Sequence, residues 1–313
     1  FVIFTPAITA LCMSLVGLSA HYIVAIVLLL CMGISGAFFH VPAPVMVKKF
    51  SGSRVGRGMS FYMVGAELAR TLGPIIVLGA VSLWGLEGTY RLIPFGLAAS
   101  VVLFLRFRHI PVARESVEKQ NSEVFKQTFR KYFYLFLFIA GIILFRAFMK
   151  SAIVTFLPTY LKLKGQSLWF GGLSLSVFEI SGAVGTFFAG NLSDRFGRIH
   201  TLLFITLLTP LMMLLFVYAE GFWVIPILVV MGFFVLASGP VVLALVLDQA
   251  TEHQAFMSGI YMTIAFVSGS TTALLIGVMG DWFGLIPTFK IAAFLAILAI
   301  PFVLLLNRYL RKR

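Results

Sequence analysis

Long apolar runs separated by short polar loops make up most of this chain. Ten runs are long enough to be membrane-spanning helices: residues 1–18, 22–47, 58–83, 90–105, 132–157, 168–189, 201–218, 222–247, 257–279 and 291–306. A helix rises about 1.5 Å per residue and a hydrocarbon core is about 30 Å thick, so each run reaches across or nearly across a bilayer. Several runs contain Gly and Pro, among them Pro42, Pro44, Gly73, Pro74, Pro210, Pro226, Gly239 and Pro240. Membrane helices tolerate such residues where neighbours satisfy the freed backbone groups. Gly73 and Pro74 are therefore read as a helix-packing and kink site.

Composition agrees with this pattern. Of 313 residues, 60% are hydrophobic and only 11% charged, far from the balance of soluble domains. The formal charge of +13 would suggest nucleic acid in a soluble protein. Here the basic residues collect in short loops beside apolar runs, so nucleic acid is not implied. One side holds Lys48, Lys49, Arg54 and Arg57, the stretch from Arg106 to Lys131, Arg195 and Arg198, and Arg308, Arg311, Lys312 and Arg313. The other side holds only Arg91, Lys162, Lys164 and Lys290. The first side is expected to be cytosolic, with both chain ends on it, in a plasma (inner) membrane. Cys12 and Cys31 lie within apolar runs and the five His are scattered, so neither a disulfide framework nor a metal site can be read, and no cofactor is expected.

Between the runs 168–189 and 201–218 stands the polar hinge Gly190 to Arg198, G-N-L-S-D-R-F-G-R. Gly190 lets two backbones approach closely, Asp194 suits a helix N-terminus, and Arg195 and Arg198 hold the loop in the cytosol. The hinge resembles the major facilitator superfamily signature G-x-L-x-D-R-x-G-R, with Ile199 where a further basic residue is often found. The resemblance implies a transporter in which Gly190, Asp194, Arg195, Gly197 and Arg198 form a gating loop. Gly65, Gly73, Pro74 and Gly79 partly resemble the Gly-Pro signature of the superfamily's antiporters, with Ala69 and Val77-Leu78 departing from it. Leu144-Phe145-Arg146, Phe156-Leu157-Pro158 and the stretch Gly36 to His40 look similar to fosmidomycin-resistance-type exporters.

A shift of 199 residues places Met32-Gly33 on Met231-Gly232, Tyr62-Met63 on Tyr261-Met262, Gly85-Leu86 on Gly284-Leu285, and Thr89 on Thr288. A constant offset over several helices argues for duplication, common among transporters. The same shift sets Phe1 on His200, so about 68 residues, two helices and a first signature loop, are expected upstream. The expectation is an all-α integral membrane protein: ten helices of a twelve-helix, two-bundle transporter. Residues 1–107 would be the rest of the first bundle, 108–131 a cytosolic linker, and 132–313 the second, six-helix bundle.

Charges inside a bilayer are costly and mark function. Glu67 and Arg70 lie three apart on one run, Arg146 and Lys150 four apart on another, and Glu179 is alone on a third. At about 1.5 Å per residue, Glu67, Arg70, Arg146 and Glu179 fall roughly 15 to 21 Å deep, near the midplane where transporter sites gather. Glu67 and Arg70 are expected to pair, Lys150 to snorkel towards the outer surface, and Glu179, with no partner near in sequence, to carry protons. His40 joins them as a midplane candidate. No nucleophile and base spacing, metal ligand set or phosphate loop points to an enzyme. The expected activity is secondary transport of a small organic solute by alternating access, with proton-coupled efflux and a monomer in the bilayer. Proton-coupled uptake of an organic anion is the alternative, and a non-transporting sensor or scaffold the alternative of another class.

Overall fold

A computed structural model describes residues 2–108, 122–249 and 253–312. Its α-helices are α1 (Thr5–Leu15), α2 (Tyr22–His40), α3 (Pro42–Ser51), α4 (Val55–Trp84), α5 (Ile93–Phe107), α6 (Ser122–Leu163), α7 (Leu168–Phe196), α8 (Arg198–Tyr218), α9 (Val224–Gln249), α10 (Gln254–Phe283), α11 (Leu285–Ile297) and α12 (Ala299–Arg311). Among the described residues there is no strand. Helices are the natural form for such apolar runs, because they satisfy the backbone within one segment where water is absent.

Among the described residues, eight helical stretches are long and apolar enough to cross a membrane: Tyr22–Ser51, Glu87–Phe107, Phe125–Leu163, Trp169–Phe196, Arg198–Tyr218, Gly221–Gln249, Gln254–Phe283 and Leu285–Arg311. They coincide with eight of the ten apolar runs. Of the other two, the first is the shorter apolar stretch Thr5–Leu18, and the third is α4, a 30-residue helix carrying Glu67 and Arg70. Helices run past their apolar cores into polar flanks. Thus α6 starts at Ser122 and has 42 residues, so residues 122–131, expected as linker, form its first turns. The rest of that linker, residues 109–121 with Arg114, Glu115, Glu118 and Lys119, lies outside the described residues.

The internal repeat is written in the helix boundaries. α4 and α10 each have 30 residues, and their ends are 199 apart, Val55 against Gln254 and Trp84 against Phe283. Each is followed by a glycine at positive φ, Gly85 at 74° and Gly284 at 83°.

The chain forms two compact units, one of Phe1–Met46 and Leu72–Thr128, the other of Val47–Thr71 and Phe129–Arg313. In the first, α1 packs on α2 and α5. Hydroxyls tie these helices together: Ala7 N–H donates to Ser100 Oγ at 3.0 Å, Ser35 to the Thr5 carbonyl at 3.1 Å, and Thr89 to the Ser14 carbonyl at 3.0 Å. In the second, α7 and α9 pack extensively against each other. Small residues allow it, since a Cβ on Gly185 or Gly232 would overlap the backbone of Phe233 or Phe178 on the facing helix. Tyr160 and Phe289 stack at 4.1 Å in the apolar core of this unit. Gly73 and Pro74, expected as a packing and kink site, lie inside α4. α4 continues through both residues, and a Cβ on Gly73 would meet no described atom within 4 Å.

Candidate functional site

The hinge residues form the end of α7 and its turn into α8. Gly197 ends α7 and opens α8 at φ +88°, a conformation glycine adopts without a Cβ penalty. One turn earlier, Asp194 reaches the start of α4. Its Oδ1 accepts the Gly56 N–H at 3.0 Å and its Oδ2 the Arg57 N–H at 2.9 Å. First-turn amides lack partners within their own helix and carry partial positive charge, so a carboxylate is the matching acceptor. Close backbone approach makes this possible. A Cβ on Gly190 would overlap the Gly56 carbonyl oxygen, and one on Gly56 would overlap that of Gly190. The Gly190 N–H donates to Ser60 Oγ at 2.8 Å.

Arg198 gathers the acidic groups. Its guanidinium pairs with Asp194, donates to Asp248 Oδ2 at 3.0 Å and to Ser193 Oγ at 2.7 Å. Asp248 belongs to the end of α9, whose last carbonyls are also held. Lys48 Nζ donates to the Leu247 carbonyl, and Tyr132 OH to that of Gln249 at 3.0 Å. A lysine at a helix C-terminus complements the partial negative charge there. Lys48 and Leu247 are 199 residues apart, so the two repeats meet here at equivalent positions. Tyr62 and Tyr261, with the same spacing, lie within electrostatic reach of each other, and Tyr261 OH donates to the Gly239 carbonyl at 3.3 Å. Arg195, the remaining residue of the expected gating loop, is exposed and makes no bond among the described residues. A cavity of about 310 Å³ opens beside the clasp, lined in part by Arg198, His200, Asp248 and Asn307.

Deeper in the same unit lies a cluster of charges. Both oxygens of buried Glu67 accept from Arg70 Nη1, at 3.0 and 2.8 Å, as the sequence spacing predicts. Arg146 is 6% exposed and is held by neutral groups: Nη1 donates to Thr206 and Thr209 hydroxyls at 3.3 and 3.4 Å, and Nη2 to the Val235 carbonyl at 3.2 Å. It does not pair with Glu179. Glu179 is 7% exposed, and its Oε2 has no hydrogen-bond partner among the described residues.

Lys150 belongs to this cluster and does not snorkel away from it. Its ammonium lies within electrostatic reach of Arg70, Glu67, Glu179 and Arg146. Helix packing gives the reason. Gly171 of α7 sits against Pro158 of α6, and Glu179 and Lys150 are each eight residues from that contact on helices that run in opposite directions. Both are thus about 12 Å from it and at one level. α6 continues to Leu163, so Lys150 is far from the helix end. His40 belongs to the other unit, where its ring meets Phe39 edge-on at 5.6 Å.

Sequence reasoning missed Lys150 as a cluster member, the hydroxyl seat of Arg146, and Lys48, Ser60 and Asp248 as partners at the clasp. For Lys48, the repeat offset was the one available signal. For the hydroxyls there was none, because Ser and Thr are common in membrane helices.

The profile of the Major Facilitator Superfamily matches residues 1–272 and 170–313. The fosmidomycin resistance protein of Escherichia coli (strain K12) is 25% identical over 269 residues, covering 85% of this chain and 66% of that protein. An uncharacterized MFS-type transporter of Bacillus subtilis (strain 168), YfnC, is 26% identical over 304 residues, covering 94% of this chain and 74% of that one. The chain therefore spans just under two thirds of the first relative's length. Among solved structures, the E. coli fucose:proton symporter FucP superposes with a TM-score of 0.78 at 14% identity, covering 97% of this chain and 82% of that one. FucP in an outward conformation gives 0.73 at 15% identity, over 97% and 81%. At these identities the superpositions speak for the fold, and the profile speaks for ancestry over the whole length: the chain belongs to the Major Facilitator Superfamily.

Proposed function

We propose that the protein is a secondary active transporter that moves a small organic solute by alternating access, with protons as the coupling ion and efflux as the direction. One observation carries the reading: a buried carboxyl, Glu179, has an oxygen without a partner among the described residues, inside an apolar bundle and beside Glu67 and Lys150. Such a group is expensive to keep and is suited to taking up and releasing a proton as access alternates. The name of the fosmidomycin resistance relative supports efflux. Uptake of an organic anion together with protons is the second reading, favoured by the excess of cations over carboxylates around Glu179.

In this reading the chain contributes ten spans of a twelve-helix, two-bundle carrier that works as a monomer, with residues 1–107 in the first bundle, 108–131 as linker and 132–313 as the second. The clasp end faces the cytosol of a plasma (inner) membrane, as the basic loops favour. There Asp194, Arg198, Gly56 and Lys48 hold the cytosolic side closed and must part for the inward-facing state. The test is uptake of fosmidomycin into everted membrane vesicles carrying the protein. A proton gradient, acid inside, should drive accumulation that a protonophore abolishes. Accumulation that ignores the gradient would overturn proton coupling, and none in either direction would overturn efflux of this probe.

A further inference from the structure

The cations of the deep cluster are not equivalent. Arg70 gives its Nη1 to both oxygens of Glu67, so its charge is matched on the spot. Arg146 is sealed from solvent and gives three of its five N–H donors to two threonine hydroxyls and one carbonyl, none of which brings a negative charge. Lys150 is half-buried and donates no hydrogen bond to any described residue. An ammonium has three donors and no acceptor, and leaving all three unmet beside an apolar bundle is costly. The anchor below it is firm, since Ser151 and Thr272 share a hydrogen bond of 2.9 Å that ties α6 to α10.

Formal charge adds to this. Arg70, Arg146 and Lys150 stand against Glu67 and Glu179, so a positive charge is left over even when both carboxyls are ionised. An unmatched cation within the bilayer normally finds a counter-charge. Among the described groups Glu179 is at the same level yet makes no ion pair with it, and Glu67 is taken by Arg70.

We propose that Lys150 is the residue that receives an anionic group of the solute, a carboxylate or an equivalent oxyanion, while Arg146 braces α6 against α8 and α9 and does not touch solute. The assignment rests on reading this cluster as the transport site. It makes solute charge, rather than apolar bulk, the feature the site selects. The direction of transport does not enter.

Binding to the detergent-solubilised protein, followed by thermal unfolding, tests it without requiring transport. The probes are hexanoate, benzoate and indole-3-acetate, each against its amide, so that shape is held while charge is removed. At least one carboxylate should stabilise the protein where its amide does not. K150Q should weaken that binding by about tenfold or more, the scale of one charge-assisted hydrogen bond, and K150R should keep it within a few-fold because the positive charge remains. Equal effects of acids and amides, no effect of any pair, or undiminished binding in K150Q would each overturn the assignment. Because K150Q removes a surplus charge, it should fold, and size-exclusion profiles check this. A protein that couples flux to protons yet fails these tests would retain the transporter reading and lose only the role of Lys150.

Discussion

The clasp and the deep cluster use the same residue types and satisfy them to different degrees. At the clasp, Asp194 has two helix amides and Arg198, Arg198 has two carboxylates and a hydroxyl, and Lys48 has a helix carbonyl. In the cluster, Lys150 donates to no described residue and one Glu179 oxygen is orphaned. A region whose charges are matched from within is complete, and its purpose is to hold one arrangement until something breaks it. A region with charges left over needs something from outside. Under the proposed function, the clasp would set which side is closed and the cluster would take proton and solute.

This contrast can be broken by substitution. The largest effect is expected for Gly190→Val, which forces side-chain atoms into the Gly56 carbonyl and the Ser60 hydroxyl. Overpacking of this kind costs about 1–3 kcal/mol, roughly a five- to hundredfold shift away from the clasped state. Spin labels on exposed Arg57 and Arg195 would show longer distances. Unchanged distances would mean that the close approach is not needed for closure.

Lys48→Met comes next. It removes the cation from the end of α9 and should cost about 1 kcal/mol, a shift of roughly fivefold. The same labels measure it, and a null result would make the contact between repeat-equivalent positions incidental. Asp194→Asn keeps the shape and loses the charge, so about 0.3 to 1 kcal/mol, a factor of two to five, is expected in cysteine accessibility at the clasp end. If the clasp is an ordinary turn, accessibility will not change. Arg195→Gln sharpens the comparison from the other side. Its exposed side chain makes no bond among the described residues, so no shift beyond error is expected.

How much the sequence disclosed follows the same division. The hinge was legible because its chemistry is contiguous: glycine, carboxylate and arginine must stand at fixed spacing around one turn. The suitability of Asp194 for a helix N-terminus was legible too, and the amides that donate to it are those of Gly56 and Arg57 at the start of α4. The Glu67–Arg70 pair was legible because three residues make one helical face. Lys150 was not. Its depth was judged from an apolar run ending at 157, whereas α6 carries on to Leu163 and packs Pro158 against Gly171, which sets Lys150 level with Glu179. Arg146 could be placed in depth but not in rotation, so its seat on Thr206, Thr209 and Val235 emerged only with the packing. The span count shows a similar limit, for α4 mixes its apolar stretch with the charges that give it a role.

The most direct test is Glu179→Gln in reconstituted vesicles, with proton-driven accumulation and solute exchange at zero gradient measured on the same preparation. Glutamine keeps the size of the side chain but cannot ionise. Exchange should persist while accumulation no longer responds to the proton gradient. If accumulation in the variant follows the gradient as in the parent protein, the proton is carried elsewhere, by Glu67 or His40, and the central claim about Glu179 is wrong.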